Sequence, residues 1–484
     1  MKALGVLGTS SNAGKTWMTA ALCAWLRREG VRVAPFKAQN MSNNGWVTPG
    51  GGEMARAQAV QAEASGLEPC VEMNPILLKP SGAMGSQLIV LGQAREHQAG
   101  RDYYRDFERN WQVVRETLDG WRSRCDVLLM EGAGSPVELN LMERDLVNLR
   151  PIRHLDGRWV LVGDIDRGGI YAQLAGTWNL LPPEDRARGL GAIVNRFRGD
   201  ISLFPDPNRW LAPHAPGFPI LGTVPFRPDL QPEEEDGLAP GDEDRGNGDA
   251  IAWIRLPHAA NLTDCQPWWD DAGVRTRWVA DPAQLAACRA IVIPGTKNTI
   301  ADLRWLRASG LADAILAAAR RGLPVVGICG GYQLLGERLI DRDGVAGDAG
   351  DEPGLGLLPV ATHFEVTKIV RPVTTACDGR RWTTYEIHMG RTAAIAPCDA
   401  LQTVFDGDQA RPEGHRVGQV WGTYQHGWFE APETRLRLTR AAGITGHRPP
   451  DYTWREKRLR VYDAMADHVV AHLDLSSIRR YLGL

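Results

Sequence analysis

No two of the chain's eight cysteines, at positions 23, 70, 125, 265, 288, 329, 377 and 398, stand at Cys-x-x-Cys spacing. That argues against a zinc ribbon and a disulfide framework and suits a reducing cytoplasm. Neither charge dominates: 55 Lys and Arg face 58 Asp and Glu, a formal net charge of -3, so the totals carry no nucleic-acid footprint. No stretch is long and apolar enough to span a bilayer, and nothing after Met1 reads as a secretory signal, so the expected location is cytoplasmic. No internal repeat is visible. Tryptophan, by contrast, is plentiful at 17 residues, which core packing explains more simply than a large flat ligand does.

At 484 residues the chain exceeds one ordinary core, so at least two domains are expected. Apolar runs at Ala3–Leu7, Val31–Phe36, Asp126–Met130, Trp159–Val162, Leu190–Val194 and Pro219–Val224 read as strands. Helical stretches, among them Lys15–Arg28 and Arg101–Arg122, lie between them, a pattern that predicts a parallel doubly wound α/β sheet. A second such series has strands at Ile251–Leu256, Val274–Trp278, Ala290–Ile293, Pro324–Ile328 and Val417–Trp421, with a helix at Leu311–Arg320. The fold class is therefore two α/β domains, at 1–228 and 250–440. The proline- and acid-rich stretch 229–249 reads as a linker and 441–484 as a helical extension. On that extension His468 and His472 stand four apart, but without a third ligand they read as a solvated helix face.

The first strand runs into Gly8-Thr9-Ser10-Ser11-Asn12-Ala13-Gly14-Lys15-Thr16 and then into a helix. Phosphates need inward backbone N–H groups, a helix N-terminus and a lysine, and this loop offers all three. Gly8, Asn12 and Gly14 shape it, Lys15 supplies charge, and the Thr16 hydroxyl is a magnesium ligand; ATP is the expected nucleotide. Five residues separate the glycines where the strict motif has four. Acids at strand ends mark the same site: Glu131 as a second magnesium ligand, then Asp145, Asp164 and Asp166. Asn195, ending its strand, is a candidate to read an adenine edge.

In the second series, Leu323-Pro324-Val325-Val326-Gly327-Ile328-Cys329-Gly330-Gly331 puts a cysteine where a strand turns sharply into a helix. A thiol there is presented to substrate beside backbone N–H groups that hold an oxyanion. Its base should be a histidine from another loop: His426 is the choice and His388 the competitor.

These residues resemble a known group. Gly327–Gln333 and Tyr424–Gly427 are similar to the class I glutamine amidotransferase domain of the cobyrinic and cobyric acid synthases, and the five-residue glycine spacing is that of the dethiobiotin-synthetase-like P-loop enzymes. Ordinary class I domains carry a glutamate two residues after the histidine; here that place is Trp428, and Glu430 is offset by two more. The segments 33–44, 52–58 and 73–80 resemble the cobyric acid synthases in particular, as do 294–299 and 385–390.

The resemblance implies a P-loop ATP-dependent synthetase domain fused to a glutaminase. It would amidate four peripheral carboxylates (b, d, e and g) of adenosylcobyrinic acid a,c-diamide, through acyl phosphates and ammonia from glutamine. It implies Cys329 and His426 as the catalytic pair and Gly295 and Gly330 at the oxyanion and glutamine site. Lys37, Gln39, Asn40 and Asp145 become substrate candidates. The corrin brings its own cobalt, so ATP and Mg2+ are the cofactors, glutamine and a corrinoid the small-molecule partners. The rival readings are a cobyrinic acid a,c-diamide synthase, a cell-wall amidotransferase, and a P-loop regulatory ATPase with a non-catalytic glutaminase domain. The Pro35–Asn44 segment, the fusion on one chain and the intact Cys329 turn speak against them in turn.

Overall fold

The computed structural model describes residues 1–42, 45–80, 86–98, 106–232, 244–345, 350–450 and 452–484. The chain divides into two compact units, one made of Met1–Thr48, Gly52–Glu235 and Lys457–Leu484, the other of Pro49–Gly51 and Asp236–Glu456.

In the first unit β1 (Lys2–Gly8), β2 (Val33–Phe36), β3 (Val127–Glu131), β4 (Arg158–Asp164), β5 (Gly189–Phe197) and β6 (Ile220–Pro225) form one sheet. Its order is β6-β5-β4-β1-β3-β2 and every neighbouring pair is parallel. Such strands are covered on both faces, which is why β1 and β3 read as near-continuous apolar runs. Helix α1 (Lys15–Arg28) lays Met18, Leu22 and Leu26 into the same core cluster as Leu4, Val6 and Leu129. Each such side chain is worth roughly 1.5–3 kcal/mol when fully buried. A second small sheet, Gln39–Met41 with Ile76–Pro80, Ser86–Val90 and Gln93–Gln98, was not legible in the sequence.

The second unit is built on β7 (Asp244–Gly246), β8 (Asp249–Ile254), β9 (Val274–Val279), β10 (Cys288–Ile293), β11 (Val325–Ile328), β14 (His415–Val417) and β15 (Val420–Thr423). Between β11 and β14 a long hairpin, β12 (Val360–Cys377) and β13 (Arg380–Ala394), belongs to a separate sheet. The main sheet has the order β7-β9-β8-β10-β11-β15-β14, parallel except at its two antiparallel edges. Trp253, Trp268 and Trp428 are fully buried in this core, so the tryptophans there are packing residues.

Three expectations are revised. The single strand read at Val417–Trp421 is a hairpin, because Gly418 turns the chain at φ +54°. The stretch 441–484 is divided: from Lys457 onward it belongs with the first unit, where Tyr462, Met465 and Val469 of the helix Trp454–His472 join the α1 core. His468 does not lie on a solvated face. It is 8% exposed, packs edge-on against Trp17 and hydrogen-bonds the Pro225 carbonyl at 2.8 Å. Of the stretch read as a linker, 233–243 falls outside the described residues; β7 follows at once.

Candidate functional site

The loop after β1 closes over the start of α1. Asn12 and Gly14 both take the left-handed conformation, at φ 59° and 94°, and Gly14 caps α1 with no side chain on its N–H groups. The first turn of a helix is where an anion meets backbone N–H groups. Lys15 folds back over the loop, donating to the Ser10 carbonyl at 2.7 Å and the Gly134 carbonyl at 3.0 Å. The Asn195 amide donates to the Ala13 carbonyl at 3.0 Å, so β5 touches the loop directly.

Glu131, at the end of β3, gathers the rest. One carboxylate oxygen accepts from the Thr16 hydroxyl and from the Lys37 ammonium, each at 2.9 Å, and the other accepts from Gln61. Burial pushes this carboxyl up, but Lys37, Gln61 and Lys15 outweigh it and hold it below the usual range. Asn40 is buried and donates to Gln58 at 2.9 Å; Gln39, half-buried, precedes it on the same short strand. Asp145 stands apart: its oxygens accept from the backbone N–H groups of Val147, Asn148 and Leu149, which commits it to holding its own loop. Asp164 pairs with Arg196 at 3.3 Å and Asp166 with Arg198 at 3.0 Å.

In the second unit Cys329 sits between β11 and the short helix Gly330–Leu335 at φ 51°, ψ −110°, a conformation that strains any residue but glycine. Such a turn holds the thiol at the carboxyl end of the parallel strands. Close packing explains the glycines around it: a Cβ on Gly331 would come within 2.0 Å of the Ile293 carbonyl oxygen, and one on Gly330 within 2.5 Å of Thr296. Gly295, after β10, faces both side chains, since a Cβ there would lie 3.0 Å from His426 Cε1 and 3.7 Å from Cys329 Cβ.

Of the two histidines, His426 is the one whose charged form Cys329 favours, while the Cys329 thiol itself donates to the Ile387 carbonyl at 3.6 Å. His388 donates through Nδ1 to the Gly390 carbonyl at 2.7 Å and stacks on Tyr424; burial pulls its pKa down to about 4, so it stays neutral near pH 7. At His426 burial pulls the same way, yet the Asp264 carboxylate and Cys329 pull harder and raise it to about 10. Trp428 is fully buried and donates to Gln402 at 2.6 Å, confirming that no acid follows His426 at that spacing.

Sequence reasoning missed Asp264. It lies 162 positions before His426, in the first turn of the 3-10 helix Leu262–Asp270 that follows β8, and one of its oxygens is 2.7 Å from His426 Nδ1. The other accepts from the Gly427 backbone N–H at 2.7 Å. The available signal was an acid among Leu262, Cys265 and Trp268, where only a paired carboxylate is tolerated. Asn261, three residues earlier, holds its amide nitrogen 3.2 Å from His426 Nε2.

Among the described residues no group of three or more His, Cys, Asp or Glu is placed to hold a metal by itself, and no helix is long and apolar enough to cross a membrane. Residues 4–240 match the CobQ/CobB/MinD/ParA nucleotide binding domain, and residues 250–434 the CobB/CobQ-like glutamine amidotransferase domain. A cobyric acid synthase of Roseiflexus castenholzii is 48% identical over 439 residues, 88% of each chain. One from Chloroflexus aggregans is 48% identical over 454 residues, covering 90% of this chain and 91% of its own. A third, from Syntrophobacter fumaroxidans, is 41% identical over 510 residues, covering 99% and 98%. With both domains matched in order and relatives this similar along almost their whole length, the chain belongs to the cobyric acid synthase family.

Proposed function

We propose that this chain converts adenosylcobyrinic acid a,c-diamide into adenosylcobyric acid, amidating the b, d, e and g carboxylates with ATP and glutamine. The observation that carries the reading is Cys329 on a strained strand–helix turn with His426 beside it across Gly295, on the same chain as a phosphate-binding loop.

A carboxylate is a poor electrophile. Transfer of the ATP γ-phosphoryl group to a carboxylate oxygen gives an acyl phosphate and ADP, and ammonia then displaces phosphate to leave the amide. Gly8, Asn12 and Gly14 shape the loop that cradles the nucleotide phosphates, Lys15 meets their charge, and Asn195 reads the adenine. Thr16 and Glu131 offer two hard oxygen donors side by side, the set that magnesium takes together with phosphate and water, and both fit that ion. Bound there, Mg2+ would supply charge neutralisation on the phosphates. Lys37, Gln39 and Asn40, on the chain leaving β2, are the corrin-side candidates.

At the second site the Cys329 thiolate attacks the glutamine side-chain amide carbon. The oxyanion sits against the backbone at Gly295 and Gly330, and His426 gives a proton to the departing ammonia. Water then hydrolyses the glutamyl thioester, releasing glutamate and the free thiol.

Mass spectrometry of the corrin after incubation with MgATP and glutamine tests the proposal. Stepwise conversion of four acids to amides, absent without ATP, is the expected result. An unchanged corrin alongside glutamine-dependent ATP hydrolysis on another acid would keep the amidotransferase and discard the substrate.

A further inference from the structure

A histidine that exchanges protons with a thiol needs its other nitrogen fixed. Without that, the ring rotates and the proton sits on whichever nitrogen solvent favours. Position 428, two residues beyond His426, is a buried tryptophan bonded to Gln402 and supplies nothing of the kind. The geometry points instead to Asp264: we infer that this aspartate, reaching in from the 3-10 helix after β8, is the positioning residue that orients His426 toward Cys329. The inference rests on the proposed Cys329–His426 glutaminase.

Three observations carry it. Asp264 spends both oxygens on consecutive residues, one on His426 Nδ1 and one on the Gly427 N–H, each at 2.7 Å, so it fixes ring and backbone together. The contact is dry, with Asp264 4% and His426 1% exposed, and a carboxylate there interacts far more strongly than one in water. Finally, Nδ1 facing a carboxylate must carry the proton. That leaves Nε2 as the nitrogen facing the Asn261 amide at 3.2 Å and free to exchange a proton with the thiol. Tyr385, stacked on the ring at 5.2 Å, closes another side.

An amide in place of the carboxylate cannot satisfy both contacts. With its oxygen toward Nδ1, its NH2 meets the Gly427 N–H donor; turned over, its NH2 meets Nδ1 and forces the proton onto Nε2. Asp264→Asn therefore imposes either a clash or the wrong tautomer. The longer Asp264→Glu keeps the acceptor.

The test is steady-state glutaminase kinetics across pH for the full chain and for its Asp264→Asn, Asp264→Glu and Cys329→Ser variants, with ammonium-dependent corrin amidation measured on the same preparations. For Asp264→Asn the glutaminase kcat should fall about a hundredfold to ten-thousandfold, with KM within about threefold. The ionisable groups around the His426 ring are Asp264, Cys329, Tyr385 and His388. Losing the first should move the alkaline limb of kcat/KM to lower pH by about a unit or more. Ammonium-dependent amidation should stay near wild type, and Asp264→Glu should restore the pH limb and part of the rate.

A wild-type kcat and pH profile in Asp264→Asn would overturn the inference. So would equal loss of the glutamine and ammonium activities that Asp264→Glu fails to restore, since that marks a merely structural role. Wild-type glutaminase that survives Cys329→Ser would sink the underlying glutaminase reading, and the inference with it.

Discussion

Thr16 of the phosphate-binding loop and Lys37 at the end of β2 donate to the same oxygen of Glu131, each at 2.9 Å. Three strands' loops thus meet on one buried carboxylate, which is 1% exposed and held ionised by the cations around it. Two consequences separate cleanly. Removing the carboxylate in Glu131→Ala breaks the buried ion pair with Lys37, and breaking a buried pair costs about 3–5 kcal/mol. Glu131→Gln keeps the shape and loses the charge proposed to hold magnesium. Glutamine- and ammonium-dependent amidation should both fall at least about a hundredfold in Glu131→Gln, while glutaminase persists. Comparing the three rates checks this, and thermal unfolding separates the Ala from the Gln variant.

The thiol should divide the two chemistries. Cys329→Ser replaces the proposed thiol nucleophile with a far less nucleophilic hydroxyl, so glutamine-dependent amidation should drop by about a thousandfold or more. Added ammonium bypasses that step, and amidation from it should remain close to wild type. Corrin product by mass spectrometry, with each nitrogen donor in turn, reads both. Loss of both activities together would argue against the assignment of Cys329.

What could be read from the chain alone was what is local in it. The phosphate loop is one strand, one turn and one helix in sequence order, and the Cys329 turn is likewise contiguous, so both were legible. The partner of His426 was not. Asp264 lies 162 positions away, and only the parallel order of β8, β10, β11 and β15 brings it near. The long hairpin of β12 and β13 was missed for another reason. Its alternation is blurred by half-buried residues from Lys368 to Pro372, so no strand period stands out. His468 was misplaced because a single helix cannot announce that Trp17 and the Pro225 carbonyl will cover one of its faces. Asp145 looked like a site acid from its position after a strand, and the structure spends it on three backbone N–H groups.

Asn261 tests the other side of the imidazole. It adopts φ 55°, ψ 45°, a left-handed conformation that asparagine tolerates and alanine resists by about 1–2 kcal/mol. Glycine accepts it freely, so Asn261→Gly removes the amide near His426 Nε2 while sparing the backbone. Glutaminase kcat/KM should fall about tenfold, the worth of one hydrogen bond near the reacting centre, with little change in melting temperature. Asn261→Ala should lose the same activity and melt lower. A full-rate Asn261→Gly variant would remove the amide from the site.

Gly295 leaves no room for a side chain. A methyl there would press on His426 Cε1 at 3.0 Å and on the Ala260 carbonyl at 3.1 Å. Gly295→Ala should therefore displace the imidazole by a fraction of an ångström, and misplacement of that order costs up to about a hundredfold in rate. The fold should survive and ammonium-dependent amidation should persist, so parallel glutamine and ammonium assays decide it.

The pH dependence of stability carries a signature of His388. Buried and neutral, this ring has its pKa pulled down to about 4 from 6.5. Between those values the unfolded chain binds a proton that the folded one refuses, so this stabilisation is present above the unfolded value and is lost as pH falls toward 4. Going from pH 7.5 to 4.5 should cost about 2–3 kcal/mol from this residue alone. His388→Gln offers an amide donor to the Gly390 carbonyl, which the ring reaches at 2.7 Å, but cannot take up a proton in either state. The variant's melting temperature should fall less steeply with acid than the wild type's, by several degrees over that interval. Parallel acid profiles for the two proteins would show that His388 ionises readily in the fold, and would return it to the choice of base for Cys329.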